Sequence, residues 1–174
     1  MRLFFAILLC KLVRLVLRLA GRGGTALPGK IALRVCPDML SRLSRGVTAV
    51  MVTGTNGKTT TCRMLEQMLR DAGRDCFANR SGSNLERGIA ADFAANANLF
   101  GRPKRRFAVI ECDEAAFRRV CGEVKPAVAV VTNIFRDQLD RYGEVTHTLA
   151  GIREGLTHSP ETRVCLNADC SLTA

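Results

Sequence analysis

From Val47 onward, short β-branched apolar runs alternate with stretches whose apolar residues recur at helical spacing. That alternation is the signature of a parallel sheet with crossover helices, an α/β fold. The runs predict strands over 47–52, 107–111, 127–131 and 164–166, with helices beginning near Lys58, Leu85, Glu114 and Thr146. In an open α/β sheet, ligands bind beyond the carboxyl ends of the strands, so chemistry is expected in the residues that follow them. Those residues read TGTNGKTTT, ECDE and TNIFRDQLD, all polar and all expected on one edge of the sheet.

Upstream the pattern changes. Residues 3–20, LFFAILLCKLVRLVLRLA, are apolar except for Lys11, Arg14 and Arg18, whose spacing puts them within about 60° of one helical face. Residues 1–22 are therefore read as a basic amphipathic helix. The uncharged run from Leu3 to Cys10 covers eight residues, against roughly 20 for a membrane span. Charges that follow the apolar run, and AGRGG as a poor cleavage site, argue against a signal peptide. The helix suits interfacial contact with a membrane, with packing on the rest of the protein as the alternative. GRGGTALPG at 21–29 is expected to break it, and an amphipathic segment from Ile31 to Leu43, interrupted by Pro37, leads into the body. The chain thus divides into the helix at 1–22, a connecting segment at 23–46 and a main domain at 47–174.

Composition narrows the class. At 174 residues, 47% hydrophobic and 24% charged, the chain can bury one core. The net charge of +10 is unevenly spread: residues 1–46 hold nine basic side chains and one acid, Asp38. The main domain is nearly balanced, Trp is absent and Tyr142 is the only Tyr. A nucleic-acid-binding globule would carry its positive field and stacking aromatics on the domain itself, so nucleic acid is not an expected partner. Eight cysteines without a CxxC pair read as reduced, mostly buried thiols of a cytosolic protein, and His147 and His158 lie in no ligand pattern. No zinc site is expected in this portion.

The first polar segment has the order strand, Gly-rich turn, Gly-Lys-Thr, helix. Gly54 and Gly57 let backbone N–H groups curl toward an anion, and a helix starting at Lys58 adds its positive end. Lys58 is expected to reach the β- and γ-phosphates of a nucleotide, and the Thr59 hydroxyl to ligate Mg²⁺. A plain glycine turn is the structural alternative. The general G-x-x-x-x-G-K-[ST] pattern needs Gly at position 52, where this chain has Val52, so the loop is of a shorter kind.

That shorter loop resembles the one in Mur ligases and folylpolyglutamate synthases, ATP-dependent enzymes that join an amine to a carboxylate through an acyl phosphate. GGTALPGKIA at 23–32, VTGTNGKTTT, SGSNLERGI at 81–89, VIECDEA at 109–115, TNIFRDQLDRYGE at 132–144 and LNAD at 166–169 all look like the MurT-type subunit of lipid II isoglutaminyl synthase. The fold implied is an incomplete P-loop Mur-ligase central domain preceded by an N-terminal helix. The resemblance implies that Gly54, Thr55, Asn56, Gly57, Lys58, Thr59 and Thr60 bind the ATP phosphates and that Glu111 ligates Mg²⁺. A carboxylate at a strand end beside a phosphate loop is what a hard cation bridging phosphates requires, with a surface loop acid as the alternative. Asn133 is a candidate for nucleotide or metal, or for an ordinary turn or cap. Ser81 and Asn84 are candidates near the phosphates, or caps for the helix expected at Leu85.

Gln138 is the most discriminating position. Amino-acid-adding Mur ligases usually carry D-H-L-D here, whereas MurT-type chains resemble the Asp137, Gln138, Leu139, Asp140 of this sequence. An amide can offer a carbonyl oxygen to a cation but cannot act as an imidazole ligand, so a second metal site would be weaker or differently built. Asp137 and Asp140 either orient ligands or cap and solvate a helix.

The resemblance implies ATP-dependent activation of the D-glutamate α-carboxylate of lipid II, and amidation to D-isoglutamine. The ammonia would come from a separate, GatD-type glutamine amidotransferase partner, because no nucleophilic Cys with His support is recognisable. The implied setting is cytoplasmic, at the inner face of the plasma membrane, where a basic leader suits a polyprenyl-linked anionic substrate. Family members continue through a longer central domain with a Cys₄ zinc ribbon and a C-terminal domain, and tend to have Asp-Pro at Cys170 and Ser171. A fragment unable to amidate alone is therefore expected. The rival expectations are a ligase adding an amino acid or glutamate, and a non-catalytic membrane-associated nucleotide-binding module.

Overall fold

The computed structural model describes residues 1–21, 24, 26–79, 83–135 and 144–173. Among these residues five parallel strands form one sheet in the order β2-β3-β1-β4-β5: β1 Thr48–Thr53, β2 Cys76–Ala78, β3 Phe107–Glu111, β4 Val128–Val131 and β5 Arg163–Leu166. Among the described residues seven helices accompany it: α1 Arg2–Leu19, α2 Ala26–Val35, α3 Met39–Leu43, α4 Lys58–Asp71, α5 Glu86–Asn96, α6 Glu114–Val124 and α7 Glu144–Thr157. The chain leaves the central β1 for the edge strand β2, returns through β3, and then crosses to β4 on the other side of β1. The C-terminal end of β1 is therefore the switch point, where loops on either side part and leave a crevice.

Strand alternation assigns two faces. Ala49, Met51, Ala108, Ile110, Ala129 and Val131 point into the large core that α1, α2, α3, α5, α6 and α7 help to fill. Val52 and Val109 point the other way, onto Cys62, Leu65 and Leu69 of α4. This two-sided burial is why these strands read as continuous apolar runs rather than alternating ones. Phe77 and Phe93 meet edge to face at 5.1 Å inside the larger core.

The expected strands are present with ends moved by a residue or so, and one strand is additional. β2 is three residues long, too short to register as a run. The break after α1 is shorter than expected, because helix resumes at Ala26 inside GRGGTALPG. Pro28 falls in the first turn of α2, where its missing N–H costs no intrahelical bond, so it does not stop the helix.

Helix α1 lies on the body. Ala6, Ile7 and Cys10 are buried in the common core. Lys11 donates to the carbonyl of Ala97, and Arg14 pairs with Asp92 of α5 at 3.0 Å. Two of the three charges expected on one basic face thus point at the protein, while Arg18 is exposed. All eight cysteines are free thiols, seven of them buried and Cys165 exposed.

Candidate nucleotide-binding site

The sheet register sets the site. Val52 of β1 lies opposite Glu111 of β3, and Thr53 lies opposite Val131 of β4. The loop leaving β1 therefore emerges between Glu111 on one side and Thr132–Asn133 on the other. Backbone bonds from Cys112 N–H to Val52 O (2.9 Å) and from Thr132 N–H to Thr53 O (3.0 Å) carry the ladder past the strand ends and fix that spacing.

The loop itself is a small set of backbone constraints. Gly54 has φ 122° and Gly57 has φ 84°, both in the region that favours glycine. A Cβ on Gly54 would lie 2.7 Å from the Asn133 carbonyl oxygen and closer still to Thr132 Oγ1. Space opens only for glycine because the β4 loop is stapled there. Thr55 N–H donates to Asn133 O (2.8 Å), Asn56 N–H donates to Asn133 Oδ1 (3.0 Å), and Asn133 Nδ2 donates back to Asn56 O (3.2 Å). Thr132 Oγ1 donates to Asn56 O (2.7 Å), and Phe135 N–H donates to Thr55 Oγ1 (3.1 Å). Asn133, expected to touch nucleotide or metal or to form a turn, holds the loop in shape.

Gly57 is the N-terminal cap of α4, whose first turn contains no acid and whose cap makes no side-chain bond. The first N–H groups and the positive helix end thus face the loop, as an anion site requires. Lys58 opens the helix and folds back: its ammonium donates to Gly54 O, to Thr55 O (3.2 Å) and to Glu114 Oε1 (3.2 Å). The Lys58 and Glu114 side chains are 14% and 19% exposed. Thr59 Oγ1 donates to Glu111 Oε2 at 2.9 Å. The two residues expected to share a magnesium ion, 52 positions apart, are thus neighbours. Thr60 follows on the exposed side of α4.

Asn84 is half-buried, and its carbonyl accepts from Asp113 N–H (2.9 Å). The cap position of α5 is Leu85, with no side-chain cap bond. Ser81, Asp137, Gln138 and Asp140 lie outside the described residues.

Two residues of the site were not anticipated. Glu114 sits in the quoted VIECDEA, and its signal was the need of a half-buried ammonium for a carboxylate partner. Asn79 follows β2: its Oδ1 accepts from Glu111 N–H (2.8 Å), and its Nδ2 donates to Glu111 O (2.7 Å) and Ser83 O (3.0 Å). It fixes the backbone that carries the Glu111 carboxylate, and no signal in the sequence marked it.

The donor set suits a hard cation. A hydroxyl and a carboxylate supply oxygen ligands, and Mg²⁺ commonly takes only one or two protein groups beside phosphates. Among the described residues no three His, Cys, Asp or Glu side chains gather into a metal-binding group, so a metal here would rely on this sparse set and the nucleotide.

A parallel sheet, a glycine loop on a bare helix end and an adjacent threonine–carboxylate pair form the arrangement that a phosphate site needs, and the chain belongs to the Mur ligase family, whose middle domain matches residues 52–173. Its relatives are more specific. It is 41% identical over 158 residues to the MurT subunit of lipid II isoglutaminyl synthase (glutamine-hydrolyzing) of Streptococcus pneumoniae, a match covering 90% of this chain and 34% of that protein. It is 40% identical over 170 residues to the MurT subunit of Staphylococcus aureus, covering 97% of this chain and 38% of that one. The chain thus spans little more than a third of these relatives. Among solved structures it resembles the MurF ligase of Thermotoga maritima in complex with ADP, with TM-score 0.62 and 25% identity over 76% of this chain and 31% of that one. The folylpolyglutamate synthase of Mycobacterium tuberculosis complexed with ADP shares the fold, with TM-score 0.56 and 16% identity over 74% of this chain and 44% of that one.

Proposed function

We propose that this chain is the ATP-binding part of a ligase that activates the D-glutamate α-carboxylate of lipid II as an acyl phosphate for amidation to D-isoglutamine. The observation that carries the reading is the Thr59–Glu111 pair, 2.9 Å apart beside the Gly54–Lys58 loop, in a chain whose MurT relatives are named as subunits of a glutamine-hydrolyzing lipid II isoglutaminyl synthase. The loop N–H groups and the α4 end bind the phosphates, and the Lys58 ammonium exchanges its loop carbonyls for phosphate oxygens. Thr59 and Glu111 would hold Mg²⁺, which supplies neutralisation of phosphate charge. The substrate carboxylate oxygen forms a bond to the γ-phosphorus as the bond to ADP breaks. Ammonia then attacks the acyl carbon, inorganic phosphate leaves, and the nitrogen loses a proton. The ammonia source is a glutamine amidotransferase of the GatD type, and the setting is the cytoplasmic face of the membrane where a lipid-linked substrate is presented.

The test supplies lipid II, Mg-ATP, glutamine and such an amidotransferase to a full-length ligase containing this segment, and follows the carboxylate by mass spectrometry. Conversion to the carboxamide, abolished by Lys58→Ala, is expected. Incorporation of a labelled amino acid instead would overturn the amidation reading in favour of an amino-acid-adding ligase.

A further inference from the structure

The face that α1 turns away from the protein carries a continuous apolar stripe between exposed Arg2 and Arg18. Phe5, Leu8, Leu12, Leu15, Val16 and Leu19 lie on one stripe, each between 42% and 80% exposed. From Phe5 to Leu19 the stripe runs about 21 Å along the helix. The loop after α5 adds to it: Phe100 is 80% exposed, and its ring lies tilted beside that of Phe4, the neighbour of Phe5, with centroids 6.1 Å apart. Scattered surface leucines need no explanation, but a contiguous stripe of this length marks an interaction site.

Three occupants compete for such a face: a lipid surface, a second copy of the chain and another protein. Charge separates the first two. Arg2 and Arg18 flank the stripe on α1, and Arg102 and Lys104 rise from the loop that carries Phe100, all exposed. The acids near it are already engaged, Asp92 by Arg14 and Asp38 by Arg42. A second copy would bring two strongly basic surfaces together, which repel, whereas an anionic bilayer presents the opposite sign. Among the described residues no helix is long and apolar enough to cross a membrane. An apolar face with basic flanks, fixed to a folded body on its other side, is the arrangement of a helix lying in the interface.

We propose that the outward face of α1, with Phe100, docks on the surface of an anionic lipid bilayer, and that it does so mainly by inserting apolar side chains. This differs from a purely electrostatic leader, because Lys11 and Arg14 are spent on the contact with α5. The surface stands independently of the amidation reading, and its test uses neither nucleotide nor substrate.

The chain has no Trp, so a single introduced Trp is a clean reporter. Leu12→Trp should shift its emission to the blue on adding phosphatidylcholine–phosphatidylglycerol vesicles and should be quenched by brominated lipid, while His147→Trp on α7 should respond to neither. In sedimentation with the same vesicles, Leu12→Glu combined with Leu15→Glu should weaken partitioning about tenfold or more with the melting temperature unchanged. Raising salt should weaken binding without abolishing it. An unresponsive Leu12→Trp, unchanged partitioning of the double variant, or a stable dimer that hides Leu12 without lipid would each overturn the proposal.

Discussion

Gly54 and Gly57 look alike in sequence, yet the structure separates them, and substitution by alanine exposes the difference. At Gly57 φ is 84° and nothing lies within 4 Å of an added Cβ, so Gly57→Ala carries only the left-handed backbone penalty, about 1–2 kcal/mol. At Gly54 φ is 122°, and the added carbon would meet Thr132 Oγ1 and the Asn133 carbonyl. Backbone strain there is of order 1–3 kcal/mol. Moving Thr132 and Asn133 aside breaks the bonds from Thr55 N–H to Asn133 O and from Thr132 Oγ1 to Asn56 O, at about 0.5–1.5 kcal/mol each. Gly54→Ala should therefore cost about 4 kcal/mol, or roughly 10 °C in melting temperature for a domain of this size, against a few degrees for Gly57→Ala. Calorimetric melting and Mg-ATP titration of both variants make the comparison. Equal losses for the two in both measurements would refute the stapling of the loop to the β4 end.

Other consequences are equally specific. Burial pushes the Asp92 carboxyl up to about 6 despite the neighbouring Arg14. The folded state then holds a proton that the unfolded state has lost, so this contribution is full below about pH 4 and fades as pH rises to about 6. Parent stability measured relative to Asp92→Asn should fall across that window by up to about 3 kcal/mol, and a flat difference would contradict it. Glu114→Gln removes a carboxylate that competes with phosphate for Lys58; it should lower the melting temperature by a few degrees and tighten ATP binding, and a loss of affinity would instead put Glu114 among the magnesium ligands. Burial raises the Cys10, Cys62, Cys112 and Cys121 thiols, Cys62 to about 12, so a thiol reagent should label exposed Cys165 first, as peptide mapping would show.

Much of the architecture was legible because burial on both faces leaves β1, β3 and β4 as apolar runs that end in polar residues. The loop was legible because few turns demand Gly54, Gly57 and Lys58 in that order. What escaped depends on tertiary neighbours. Asn79 and Glu114 act through partners 32 and 56 residues away, and three-residue β2 exists by pairing with β3 rather than by its own pattern. For α1, the basic residues defined a face, but apolar residues surround the helix, so periodicity could not say which side turned inward. Small Ala6 and Cys10, which allow close approach, and Asp92, which captures Arg14, decided it.

Titration of this chain with ATP, with and without magnesium, tests the central claim most directly. The site geometry predicts saturable binding that magnesium strengthens, lost in Lys58→Ala and stripped of its magnesium dependence in Glu111→Gln. Undiminished affinity in Lys58→Ala, or equal magnesium dependence in Glu111→Gln, would contradict it.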